Sequence, residues 1–159
     1  MAVNIQRATY KTKYFAALAA SMRNDDRQEA LAMLGMSGAP ALYLSMYCSQ
    51  EMYIAEMDDV PLCAWGVCRT NGINLIWFIA SQEIEQHKRE LLTLTRPRFE
   101  ALLQKYGRLE NFVDARSKKS LRFIRWLGFT INLEPVAAGV RGEALYHFYK
   151  ERGEAACAQ

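Results

Sequence analysis

SKKSLRFIRWLGFTI, residues 117–131, changes its period in the middle. Leu121, Phe123, Ile124, Trp126 and Leu127 form a wide apolar stripe at helical spacing, with Lys118, Lys119, Arg122 and Arg125 on the remaining surface. Gly128 stands where a left-handed residue ends a helix, because it has no Cβ to clash. After it Phe129, Ile131 and Leu133 alternate with polar neighbours, so the period falls from 3.6 to 2. The stretch is a helix, a glycine stop and a strand, the joint of a packed α/β unit.

The chain around it has 159 residues, of which 51% are hydrophobic and 23% charged, with a net charge of +3. These values indicate one globular domain at residues 1–150, with residues 151–159 as a loose tail. So small a net charge does not indicate nucleic acid. The basic runs Lys88–Arg98 and Arg116–Arg125 read as solvated helix faces. Cys48, Cys63, Cys68 and Cys157 include no CxxC pair, and two histidines are too few to complete a zinc site, so no metal is expected. Cys48, Cys63 and Cys68 read as reduced, small hydrophobes, and whether Cys157 pairs with another chain is open. No secretory signal is evident, and the longest apolar runs are too short to cross a bilayer.

Outward from the joint, VNIQRATY reads as a first strand, and Tyr14, Phe15, Leu18, Ala19 and Met22 mark one face of a helix. Asp26 with Glu29 has the form of a capping box that restarts a helix, which Gly35 and Gly38 end. Pro40 opens a short helix to about Tyr47. MYIAEM and LCAWGVC join across DDVP as a hairpin, and Asn71-Gly72 offers a second tight turn into the continuously apolar NGINLIWFIA. The charged run Ser81–Leu92 is compatible with a helix. Thr95 reads as an N-cap and Pro97 as a first-turn residue of an amphipathic helix that ends at Gly107. LENFVDA, FTINLEPV and ALYHFYK supply the last strands, ALYHFYK as the edge. The expected order is β–α–α–βββ–α–β–α–β–β. It describes an α+β domain with a mixed, mostly antiparallel sheet of six to seven strands and helices on both faces. The strand–long helix–strand crossover brings one parallel pair together.

This order, with Ser117–Phe129 and its LGF, resembles the GNAT-type N-acetyltransferases over roughly Val3–Lys150. A finer resemblance, carried by IWFIAS, QEIEQHKRELLTLTR, PRFEALLQKY, NFVDARS and SLRFIRWLG, is to a tailed-phage subgroup. That subgroup includes internal virion proteins of short-tailed phages. The family resemblance implies an acyl-CoA site between the central strand and the long helix, with a glycine-rich turn for the pyrophosphate. Residues 81–96 contain no glycine. Thr95, Arg96 and Arg98 remain as the candidate anion-binding residues, with Ser117 where the family places an Asn against the cofactor arm. Ser117 also reads as a helix cap. The family's acid, a tyrosine four residues before the glycine, is Ile124 here and has no proton to give. Glu56 and Asp114 are the carboxylates expected near the sheet centre, without an assigned role. His87 and His147 carry no motif, and Trp65, Tyr146 and Phe148 read as sheet packing.

The expectation is therefore a GNAT-fold protein with a degenerate site and no bound cofactor. It would be an internal virion or accessory component in particle assembly or genome ejection, with virion proteins as partners. Its location would be the virion or the host cytoplasm. The alternatives are an acetyl-CoA-dependent N-acetyltransferase, and a regulator or host-defence antagonist that meets a host protein or nucleotide through the old cleft.

Overall fold

Two tight turns lay out the middle of the chain. Asp58 and Asp59 have φ of 51° and 65°, and Asn71 and Gly72 have φ of 50° and 78°. Both pairs have the positive values that match the twist of flanking strands. They join β2 (Ser49–Met57), β3 (Val60–Thr70) and β4 (Ile73–Ala80) into an antiparallel meander. The computed structural model describes residues 2–153. Before the meander come β1 (Asn4–Arg7), α1 (Phe15–Ala20), α2 (Asn24–Leu34) and α3 (Ala39–Cys48). After it come α4 (Ile84–Tyr106), β5 (Arg108–Asp114), α5 (Lys118–Trp126), β6 (Thr130–Ile131) and β7 (Leu145–Glu151).

The domain is α+β, with one mixed sheet of seven strands in the order β1-β2-β3-β4-β5-β7-β6. The crossover through α4 makes β4 and β5 the parallel pair, and the other pairs are antiparallel. Trp65, Phe99, Leu102, Leu103, Leu121 and Ile124 fill the core under α4 and α5. Phe15, Leu18, Leu42, Met46, Ile54 and Ile79 fill the one under α1 and α3. The continuously apolar β4 lies at the sheet centre, as burial on both faces requires.

Several boundaries differ from the sequence reading. The long helix does not begin at Thr95: it runs unbroken from Ile84 to Tyr106, with Pro97 inside it. Pro97 and Thr93, the residue whose carbonyl loses its helical N–H, both lie on the exposed face, where water can serve the carbonyl. The last strand, β7, is not the edge. It pairs with β5 on one side and with the two-residue β6 on the other. FTINLEPV is thus mostly irregular, with only an isolated bridge from Val136 to Leu145 beyond β6. Glu151 still belongs to β7, and the tail at 154–159, with Cys157, lies outside the described residues. Cys63 and Cys68 are buried, whereas Cys48 is exposed.

Candidate functional site

A parallel pair joined at one end only is a wedge. β4 and β5 share a single register pair, Leu75 with Glu110. Side-chain amides stitch this vertex: Asn74 Nδ2 donates to Arg108 O at 3.2 Å and Asn111 Nδ2 donates to Ile76 O at 2.8 Å. Beyond it the strands diverge around a cavity of about 300 Å³. Phe78, Phe99, Phe112, Phe123 and Ile124 are among its walls, and Asp26, Glu29 and Ser120 supply polar groups. Phe78 packs on Phe123 with ring centroids 4.8 Å apart, and Phe99 meets Phe123 edge-on at 6.0 Å. These rings line the gap without closing it.

One rim of the wedge is the outer edge of β4. Ser81 N–H donates to Leu62 O on the β3 side at 2.9 Å, so by the alternation of an antiparallel ladder Ala80 turns its backbone groups away from β3. Both are taken by the chain itself. Ala80 N–H donates to Asp26 Oδ2 at 2.8 Å, and Ala80 O accepts from Arg23 N–H at 2.9 Å. One residue on, Gln82 N–H donates to Ser21 O at 2.9 Å, and Met22 and Ser81 form an isolated bridge. The segment 21–23 thus lies along the end of β4 like a short extra strand.

Arg27 and Arg23 hold that segment in place. Arg27 donates to Ala19 O, Ala20 O and Met22 O at 3.0, 3.1 and 3.1 Å, satisfying carbonyls at the end of α1 and pinning α2 beneath them. Arg23 grips Asp26 with two bonds, at 3.1 and 3.0 Å. Asp26 is therefore not the N-cap that its spacing to Glu29 suggested: α2 starts at Asn24, and the carboxylate serves Arg23 and Ala80. Burial pushes the Asp26 carboxyl above the usual carboxylate range, against the pull of Arg23.

Glu29, one turn further along α2, faces the cavity from the same side. Its oxygens lie 3.4 Å from the Asp114 N–H and 3.4 Å from the Ser120 hydroxyl. Burial first, and then the charges of Asp26 and Asp114, push this carboxyl up to about 8. Asp114 ends β5 with no exposed surface. Burial raises it too, but Arg116 outweighs that with bonds from its guanidinium at 3.0 and 2.7 Å and from its backbone N–H, holding the carboxyl below the usual range.

The residues expected to meet a cofactor are dispersed. Thr95 is buried in mid-helix, and its hydroxyl donates to Leu92 O at 3.3 Å. Arg96 stacks on Trp126 at 4.8 Å and Arg98 donates to Leu94 O at 2.7 Å. All three stand inside α4 and not at its N-terminus, so the physical reason for an anion there is gone. Ser117 occupies the N-cap position of α5, but its hydroxyl donates to Ser120 Oγ at 2.9 Å and accepts no backbone N–H as a cap would. Glu56 is structural: it accepts from Asn4 Nδ2 at 2.9 Å and from Asp59 N–H at 3.0 Å. His147 pairs with Glu110 at 3.0 Å on the β5–β7 face. Among the described residues no group of His, Cys, Asp and Glu could hold a metal ion.

The fold is shared with solved acetyltransferases. A GNAT-family acetyltransferase of Streptococcus pneumoniae aligns at a TM-score of 0.65 with 16% identity, over 95% of this chain and 99% of that one. An N-acetyltransferase of Staphylococcus aureus gives 0.66 at 12% identity, over 95% and 98%. An acetyltransferase of Bacillus subtilis in complex with CoA gives 0.60 at 15%, over 94% and 98%. The chain has the GNAT fold. No protein-family model and no curated protein matches it. Identities this low carry the fold alone, and these likenesses say nothing of a phage or a virion.

The residues present do not fit a CoA diphosphate held at the end of the central strand. Such a group needs free backbone N–H groups and a turn that lets the backbone approach. Ala80, Ser81 and Gln82 have given their N–H groups to Asp26, Leu62 and Ser21. No glycine occurs between Gly72 and Gly107. The first turn of α4 carries Glu85, which takes up Lys88 and Lys119 at 3.9 and 3.2 Å.

Proposed function

We propose that this chain is a ligand-binding protein built on the acetyltransferase fold and not a CoA-dependent catalyst, working as an internal virion or accessory component in particle assembly or genome ejection. The observation that carries the first part is the pairing of Asp26 and Arg23 with both backbone groups of Ala80. It fills from within the edge that a thioester arm would need. Ile124 at the position of the family's acid supports the same reading. The virion role rests on the sequence resemblance, with other virion proteins as partners. Proteomic detection of the chain in purified particles of the phage encoding it supports that role, and its absence from them overturns it.

The second reading is an acetyl-CoA-dependent N-acetyltransferase. The solved structures of the same fold favour it, since those compared above are acetyltransferases and one holds CoA. Titration calorimetry with acetyl-CoA separates the two. No binding down to roughly millimolar affinity supports the ligand-binding reading. Tight binding, with thiol release on adding an amine, overturns it in favour of the enzyme.

A further inference from the structure

The turn from α3 into β2 brings together two thiols that lie far apart in the chain. Cys48 is the last residue of α3, and Ser49 is the first of β2. Ser49 stands opposite Cys68 in the β2–β3 register. Residues directly opposite in an antiparallel pair project from the same face, and here Ser49 Oγ and Cys68 Sγ are 3.7 Å apart. The Cys68 thiol also reaches the helix backbone, donating to Ser45 O at 3.4 Å. Ser45 is three residues before Cys48, so these two share a face of α3. That face borders the cavity that Cys68 also lines. Cys68 therefore sits beneath the last turn of α3, and Cys48 ends that turn.

The two thiols differ in access, since Cys48 is exposed and Cys68 is buried. Burial raises the Cys68 thiol above its ordinary value, the Ser49 hydroxyl pulls it back, and negative charge on Cys48 raises it again. Cys63 cannot take either place. It is five residues from Cys68 on β3, so strand alternation points it to the opposite face, where it packs among the core residues under α4 and α5. Neither reading of the cleft uses the Cys48 and Cys68 thiols.

We propose that Cys48 and Cys68 are a modification site, at which a hydroperoxide converts the two thiols into a reversible disulfide. Cys48 reacts first because it is the exposed one. Its thiolate attacks a peroxide oxygen, the O–O bond breaks, and the protonated leaving oxygen departs as water or an alcohol. Cys48 is left as a sulfenic acid. Cys68, losing its proton, then attacks that sulfur, the S–O bond breaks and water leaves. The two thiols together give up two electrons and two protons, which the peroxide takes. The new bond replaces the contact of Cys68 with Ser45 O and ties the end of α3, one wall of the cavity, to β3.

The experiment treats the reduced full chain, dilute and at neutral pH, with a small excess of hydrogen peroxide and maps its peptides by mass spectrometry without reduction. The expected product is a peptide pair joined at Cys48 and Cys68, returned to two thiols by dithiothreitol, with Cys63 still a thiol. Cys68→Ser should hold Cys48 as the sulfenic acid, trapped as a dimedone adduct that the native chain does not accumulate. Cys48→Ser should leave Cys68 reduced. A native chain that stays reduced overturns the proposal. So does one in which Cys68 remains a thiol while Cys48 is over-oxidised, joins Cys157 or joins a second chain. The mapping uses the native chain, so it stands even where a variant folds poorly. Its outcome does not depend on whether acetyl-CoA or any other ligand binds.

Discussion

Asp26 and Ala80, 54 residues apart in sequence, are joined by a 2.8 Å bond from a strand's last outward N–H to a buried carboxylate. A side chain of α2 thereby ends the central strand, doing for the backbone what a neighbouring strand would otherwise do.

Replacing Asp26 with Ala leaves the Ala80 N–H and the Arg23 guanidinium without their partner in a buried place. The expected loss is about 3 kcal/mol of unfolding free energy, because breaking a buried pair exposes the cost of the remaining charge. Urea unfolding of the variant beside the native chain measures it. A loss below about 0.5 kcal/mol would mean that the pair contributes little to holding segment 21–23 down.

Glu29 sets a pH dependence whose sign can be worked out. Its carboxyl moves from an ordinary value of 4.5 to about 8 on folding, so between these limits the folded chain holds a proton that the unfolded chain has lost. Stability from this group is full below the lower value and declines as pH rises through the upper one. Glu29→Gln should match the native chain near pH 5 and exceed it near pH 8.5, by roughly 4 kcal/mol. Asp26, raised in the same direction, stays in both proteins and cancels from the comparison. Thermal melts across that range decide it, and parallel curves would place the titration elsewhere.

Arg96→Ala/Arg98→Ala should cost only about 1 kcal/mol, from the stacking of Arg96 on Trp126 and the Arg98 bond to Leu94 O. The variant should give the same acetyl-CoA titration as the native chain, since neither residue stands at a helix end. A change in that titration would return α4 to the list of cofactor-binding elements.

Gly66 is a packing glycine. A Cβ there would come within 2.8 Å of Glu51 O and of Trp77 Nε1, whose indole donates to Ser49 Oγ at 2.8 Å. Gly66→Ala should therefore destabilise by about 1–3 kcal/mol through forced displacement of β2 backbone and the Trp77 ring. The drop in melting temperature and the change in Trp fluorescence report the two parts.

Much of this architecture is legible in the sequence because it is local. The period switch at Gly128, the turns at Asp58-Asp59 and Asn71-Gly72, and the apolar run of β4 each declare themselves within a few residues. The misreadings have one cause in common. Thr95 and Pro97 look like a helix start, and Asp26 with Glu29 looks like a capping box, because those patterns are local too. What overrides them is distant: a solvent-facing proline tolerated inside α4, and a backbone N–H brought to Asp26 by β4. In the sequence Glu29 shows only as part of that box. Its signal, a carboxyl with no cation in reach, exists only once α2, β5 and α5 have met.

The vertex between β4 and β5 divides the molecule into two sequence-contiguous ladders, residues 4–80 and 108–151, whose sheet connection is one register pair and two asparagine stitches. Each ladder closes mostly through neighbours in the chain, and such blocks behave as separate cooperative units. The seam between them is the natural first line of opening, and amides flanking it should exchange with solvent well before those at the centre of β3. A chain divided this way can come apart in two steps, with the helix α4 as the cord that keeps the halves together.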